Sequence, residues 1–157
     1  MPDVHRLAVR CLAALTVMVA GCRHVPQPFV AEREVDRWVA LWEEYDLDRL
    51  PHVFLWDSSL TYFSSERVGL IRGADAVREH YRSMGFVEGG RAATQSLWIE
   101  EMHASVFQDA AVVTAVWLFG DRDAESNSWQ LGPMTAVYRW DGGRWRIAHM
   151  HFANYPP

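Results

Sequence analysis

The sequence predicts an α+β domain whose N-terminal helices pack on one face of a curved antiparallel sheet. Three observations carry this. Apolar residues recur at the helical period in the first half of the 157-residue chain, and strand patterns fill the second half. Turn signals separate those strands at hairpin spacing and end in Asp141-Gly142-Gly143. Charge is modest and dispersed, formally −5, with no repeat or low-complexity tract to compete with a single core.

Residues 30–46 read as an amphipathic helix, because Trp38, Leu41, Trp42 and Tyr45 fall at i, i+3, i+4 and i+7. Glu32, Arg33, Asp36, Arg37, Glu43 and Glu44 occupy the rest of its surface. Asp46 caps a second short helix, Leu47 to Phe54, which Pro51 interrupts or restarts. Ser59 to Phe63 is a strand with Leu60 and Tyr62 on one face and Thr61 and Phe63 on the other. Arg67 to Arg72 reads as a loop with a brief extended segment ending at Gly73. Asp75 to Met84 is a third helix with Val77 and Tyr81 inward, broken by Gly85, Gly89 and Gly90. Four strands follow: Ala92 to Val106, Ala111 to Gly120, Trp129 to Trp140 with a bend near Gly132-Pro133, and Arg144 to Ala153.

The N-terminus carries a different signal. Arg6 and Arg10 precede an apolar run, Cys11 to Ala20, that is too short to span a bilayer. It ends in Val19-Ala20-Gly21-Cys22, which resembles the lipobox of bacterial lipoproteins. That resemblance implies export, cleavage before Cys22, acylation of Cys22 and anchoring to a membrane without spanning it. The chain then divides into a signal peptide over 1–21, a tether over 22–30 and a folded domain over 31–157.

Cleavage removes Cys11, and acylation turns the Cys22 thiol into a thioether. No disulfide and no thiol nucleophile is then expected. Loss of Arg6, Arg10 and Asp3 takes the formal charge from −5 to −6, which argues against nucleic acid as a partner. All 15 basic residues are Arg, so Schiff-base chemistry on lysine is excluded.

Three stretches together resemble a family. Trp42 to Phe54 with Asp57, then Arg72 to Val77 with Tyr81, then Asp141 to His151 with its W-x-I-x-H-x-H pattern are similar to SnoaL-like domains. These belong to the superfamily of nuclear transport factor 2 and ketosteroid isomerase; the calcium/calmodulin-dependent kinase association domain is a relative with a similar last strand. The resemblance covers residues 31–153 and implies a cystatin-like cone, a curved sheet closed by helices around a pocket. Its members include isomerases, dehydratases, cyclases, hydrolases and binders, so activity must be argued from the site. The ketosteroid isomerase proton donor and base fall on Trp38 and Tyr62. An indole supplies no acidic proton and a phenol is a poor base at neutral pH, which excludes that chemistry.

His149 and His151 lie two apart on the last strand and so share a face with Trp145 and Ile147. If that face is the inner one, both imidazoles enter the pocket as catalytic acid and base, with Tyr62 as an orienting donor. The alternative is structural: one imidazole bonded to backbone, the other at a dimer interface. Trp38, Trp42, Tyr62, Tyr81, Trp98, Trp117 and Tyr138 are the candidate ligand-binding walls, alongside His149 and His151. A metal would need a third ligand, His103 or Glu100, that nothing in the sequence brings close; no metal is expected. No G-x-S-x-G elbow and no phosphate-cradling loop is present, so neither serine hydrolysis nor a cofactor is expected. The leading expectation is a lipid-anchored domain binding a small, largely apolar ligand. The alternatives are a dehydratase, isomerase or cyclase using His149 or His151 as base, and a dimerising interaction module.

Overall fold

The computed structural model describes residues 26–90, 95–121, 123 and 128–156. The signal segment, Cys22, the predicted strand start at Ala92 to Thr94 and most of the loop after Asp121 lie outside the described residues. Among the described residues no helix is long and apolar enough to cross a membrane.

Helix α1 (Ala31–Glu44) buries the predicted stripe of Trp38, Leu41 and Trp42 and ends at Tyr45. Tyr45 stops it by adopting φ 54°, and its N–H still reaches the Leu41 carbonyl at 2.8 Å. Glu34 is buried in the first turn, where the helix dipole favours an acid. Arg33 donates to Glu34 at 2.9 Å and Arg37 at 2.8 Å, so the buried carboxylate is paired on both oxygens. Asp46 accepts the Asp48 N–H at 2.9 Å and caps a 3₁₀ turn (Leu47–Arg49). Pro51 then sits in the first turn of α2 (Leu50–Val53), the restart that its missing N–H allows.

Strands β1 (Thr61–Ser64) and β2 (Arg67–Arg72) form an antiparallel pair, and α3 (Ala74–Ser83) follows. Arg67–Arg72 is thus a full strand and not mainly a loop. It is the sheet edge, exposed at every position except Ile71, so it lacks the alternation that marks a half-buried strand. The remaining strands are β3 (Ser96–Val106), β4 (Ala110–Gly120), β5 (Gln130–Trp140) and β6 (Trp145–Phe152). The sheet runs β2-β1-β6-β5-β4-β3, antiparallel throughout except for the parallel β1–β6 pair. Its inner face and the helices share one apolar core that includes Trp38, Leu41, Val77, Tyr81, Ile147 and Met150.

A bulge in β6 decides where the last strand points its side chains. Tyr138 pairs with Ile147 but Val137 pairs with His149, which leaves Ala148 as an extra residue. One inserted residue moves everything after it to the opposite face. Trp145 and Ile147 are buried inward, and beyond the bulge Met150 and Phe152 take the inward positions instead.

Both ends of the domain are tied down. Trp145 Nε1 donates to the Gln27 carbonyl at 2.8 Å, and the Phe29 ring lies 5.1 Å from Tyr138 and 5.2 Å from Trp145. Gln27 and Phe29, predicted as tether, are therefore packed on the domain. At the other end Ala153 donates to Pro133 at 3.2 Å and Tyr155 to Leu131 at 3.0 Å, extending the β5 ladder past β6.

Candidate ligand-binding site

A cavity of about 340 Å³ opens between the inner sheet face and the helices. Strand alternation supplies most of its walls. Tyr62 faces inward from β1 between the outward Thr61 and Phe63; Trp117 and Phe119 face inward from β4; Phe152 does so because of the β6 bulge. Trp42 and Tyr45 close it from the end of α1. The rim is polar, made by Ser64, Ser65, Glu66, Gln95 and Gln130.

Behind one wall runs a chain of hydrogen-bonded rings. Tyr62 donates its hydroxyl to Tyr81, which also accepts from Trp38 Nε1 at 3.4 Å. Burial raises the Tyr62 hydroxyl well above the ordinary phenol range, and the Tyr81 oxygen adds to the effect. Burial also pushes Tyr81 up to about 12. Both phenols therefore stay protonated at neutral pH and do not act as bases.

The indole nitrogens in the wall differ. Trp117 Nε1 donates to the Ala153 carbonyl at 3.0 Å. Trp42 is 8% exposed and its Nε1 has no hydrogen-bond partner among the described residues.

Among the described residues, His80 is the one imidazole beside this site. It projects from α3, is 4% exposed, and lies 5.5 Å ring to ring from Tyr62. Among the described residues its buried Nε2 has no partner, and its cleft shares Glu66 and Met84 with the cavity. Burial lowers its pKa below the usual imidazole value; Arg67 lowers it further and Glu66 opposes. His149 is lowered too, by burial and then by His151.

A depressed pKa means that the unfolded chain binds protons that the folded chain refuses. The contribution is intact above the unfolded imidazole pKa of about 6.5 and is lost as pH falls through the folded value. Urea midpoints should therefore drop between pH 7.5 and pH 5, and less steeply in a His80→Gln variant. Equal slopes in both proteins would show that His80 does not titrate as its burial requires.

Of the sequence-predicted wall residues, Trp42, Tyr62 and Trp117 line the cavity. Trp38 and Tyr81 stand behind it in the core. So does Tyr138, whose buried hydroxyl has no partner among the described residues and is pushed above the usual phenol range by burial, then by Glu34. Trp98 faces the other side of the sheet, packed edge-on to Trp129 at 4.9 Å.

His149 and His151 are the main correction. The Ala148 bulge turns both to the outer face, where His149 Nδ1 lies 2.8 Å from Thr61 Oγ1. The Phe63 ring stands 6.1 Å from His149 and 5.5 Å from His151. Neither lines the cavity, so neither is placed to serve as its acid or base. Instead a row without formal charge crosses the outer face from His103 through Thr114, Thr135, His151 and Phe63 to Leu70. Among the described residues no three His, Cys, Asp or Glu side chains gather as a metal site.

The sequence reading passed over Tyr45, Phe119, Phe152 and His80 as site residues. For His80 a signal existed: Val77, His80, Tyr81 and Met84 fall at i, i+3, i+4 and i+7, so the inward stripe of α3 includes the imidazole.

Comparison with known proteins agrees with this architecture. A nuclear transport factor 2-like protein of unknown function from Pseudomonas putida is 19% identical, with a TM-score of 0.64 over 78% of this chain and 82% of that one. A putative calcium/calmodulin-dependent protein kinase type II association domain from Thiobacillus denitrificans is 23% identical, with a TM-score of 0.66 over 83% and 99%. A putative ketosteroid isomerase from Parabacteroides distasonis is 18% identical, with a TM-score of 0.63 over 82% and 90%. At these identities the likeness is one of fold. No curated protein matches the sequence. The SnoaL-like domain model matches residues 32–156, from the first turn of α1 to the tail beyond β6, and the chain belongs to that family.

Proposed function

We propose that this protein is an exported, lipid-anchored domain that holds a small, largely apolar molecule between its sheet and its helices. The ring-walled cavity carries the reading. Its volume of about 340 Å³ and its apolar depth with a polar rim match the usual form of small-molecule sites. The anchor rests on the apolar run that ends in Val19-Ala20-Gly21-Cys22.

A second reading concerns partners. The uncharged row across the outer sheet face, with Phe63 39% and Leu70 37% exposed, suits pairing with a second copy. That one structural neighbour is a putative association domain supports the same idea.

Native mass spectrometry of the full chain, made in a bacterial host and extracted from its membranes, reads all three points. The expected results are an acylated N-terminal cysteine, a two-chain mass and a small molecule released on denaturation. Leu97→Trp, which fills the cavity from β3, should lower retention of that molecule at least about tenfold. His149→Ala, on the outer face, should leave it within about twofold. An unmodified Cys22 removes the anchor, a monomer at every concentration removes the pairing, and a cavity that retains nothing removes the ligand.

A further inference from the structure

The two ends of the sheet differ in what they carry. At one end the turn between β3 and β4 meets the turn between β5 and β6, joined by the Trp140 N–H to the Asp109 carbonyl at 3.0 Å. The docked N-terminal stretch sits at this end too: the Gln27 carbonyl accepts from Trp145, the first residue of β6, and Phe29 packs beside that ring. At the opposite end lie Ser64, Ser65 and Gln130 of the cavity rim, with the exposed Val68 of β2.

Chain length ties a lipid on Cys22 to the first of these ends. Residues 22 and 27 are five peptide steps apart, a reach of about 17 Å at full extension. Strands β3 and β4 have 11 residues each and so run about 35 Å from end to end. With Gln27 held on Trp145, the lipid cannot set the rim end on the bilayer and leave the turn end raised.

The turn end is also apolar where it projects. Val106 is 56% and Phe107 60% exposed. The Phe107 N–H donates to the Ala110 carbonyl at 2.8 Å, so a closed turn holds both at the tip. Val30, at the head of α1, is exposed at the same end. Single apolar residues on a surface are ordinary, but these gather where the chain leads to its anchor. The two turns, residues 106–110 and 139–146, carry Arg139, Arg144 and Arg146 against Asp109 and Asp141, in a chain whose formal charge is −5. Anionic headgroups are therefore not repelled by the turns themselves.

Given the lipid anchor proposed above, we propose that Val106 and Phe107 enter the headgroup region of the bilayer that holds the Cys22 lipid. The acyl chains supply the attachment and the hairpin sets the angle. The domain then stands with its β3–β4 and β5–β6 turns on the membrane and its cavity rim toward the aqueous side.

The test places the full chain, acylated by a bacterial host, in nanodiscs of phosphatidylethanolamine and phosphatidylglycerol, with and without a gadolinium-bearing headgroup lipid. In ¹⁵N-labelled wild-type protein the gadolinium should relax the amides of Phe107, Gln108 and Gly142 at least about fivefold faster than those of Glu66 and Val68, a strand length away. This readout needs no variant. Phe107→Asp should lower the enhancement at Gln108 and Gly142 by at least about threefold, because a charge replaces the inserted ring. Val68→Asp puts the same charge on the other end and should leave the enhancement within about 1.5-fold. Equal enhancement at the two ends, or a larger one at Val68, overturns the orientation while the anchor stands. Enhancement at the turn end that Phe107→Asp leaves unchanged overturns the inserted hairpin. A Cys22 found unmodified by mass spectrometry removes the anchor and this orientation together.

Discussion

Gly132→Ala should cost about 3 kcal/mol, the upper part of the usual range for overpacking, and lower the melting temperature by about 10 °C. A Cβ on Gly132 would stand 1.9 Å from the Ala153 carbonyl oxygen, 2.8 Å from its carbon and 2.9 Å from Asn154 Cα. Every one of these atoms is backbone, so no side chain can turn aside to make room. The tail must move instead, and it is bonded to β5 on both sides of the contact, through Ala153 to Pro133 and Tyr155 to Leu131. The same Ala153 oxygen accepts from Trp117 Nε1, so a shifted tail leaves an indole in the cavity wall without its acceptor. Ligand retention should therefore fall along with stability. Gly143→Ala is the comparison: its Cβ would meet nothing within 4 Å, and thermal melts should place it within about 0.5 kcal/mol of wild type. A Gly132→Ala protein that melts with the wild type would mean that the tail does not lie across β5.

What was legible in the residues was mostly what depends on period. Trp38, Leu41 and Trp42 fixed the inward face of α1, Val77 and Tyr81 that of α3, and Asp46 and Pro51 the break between helices. Three structural features escaped because they have no compositional mark. The Ala148 bulge adds one residue to a strand that otherwise alternates correctly, so Trp145 and Ile147 were read correctly and His149 and His151, two and four residues on, were placed on the wrong face. Strand β2 has solvent on almost every side chain, which removes the pattern by which strands are recognised. Gln27 and Phe29 look like a proline-bearing spacer, yet they dock on Trp145 and Tyr138 through contacts more than 100 residues distant. The family resemblance supplied the cone and its pocket. It did not say which rings face that pocket, because this depends on register.

Trp38→Ala should be the most destabilising single change in the helical layer, about 4 kcal/mol by the usual scale for a buried tryptophan cut to alanine. The side chain is 0% exposed and packs on Phe152 at 5.3 Å between ring centroids. Its removal opens a void behind the cavity wall and frees Phe152 on its far side. It also deletes the N–H that Tyr81 accepts, although at 3.4 Å that bond is long and carries little of the total. Trp38→Phe separates the two contributions: it restores most of the volume but not the donor, and should cost only about 1 to 2 kcal/mol. Chemical denaturation of both variants gives these numbers directly. Function should divide the same way, since Trp38 does not line the cavity. Trp38→Phe should then keep ligand retention near wild type. Were Trp38→Phe to abolish retention while the protein stayed folded, the indole would have to reach the bound molecule, and the wall would have to be redrawn one layer deeper than Trp42 and Tyr62 place it.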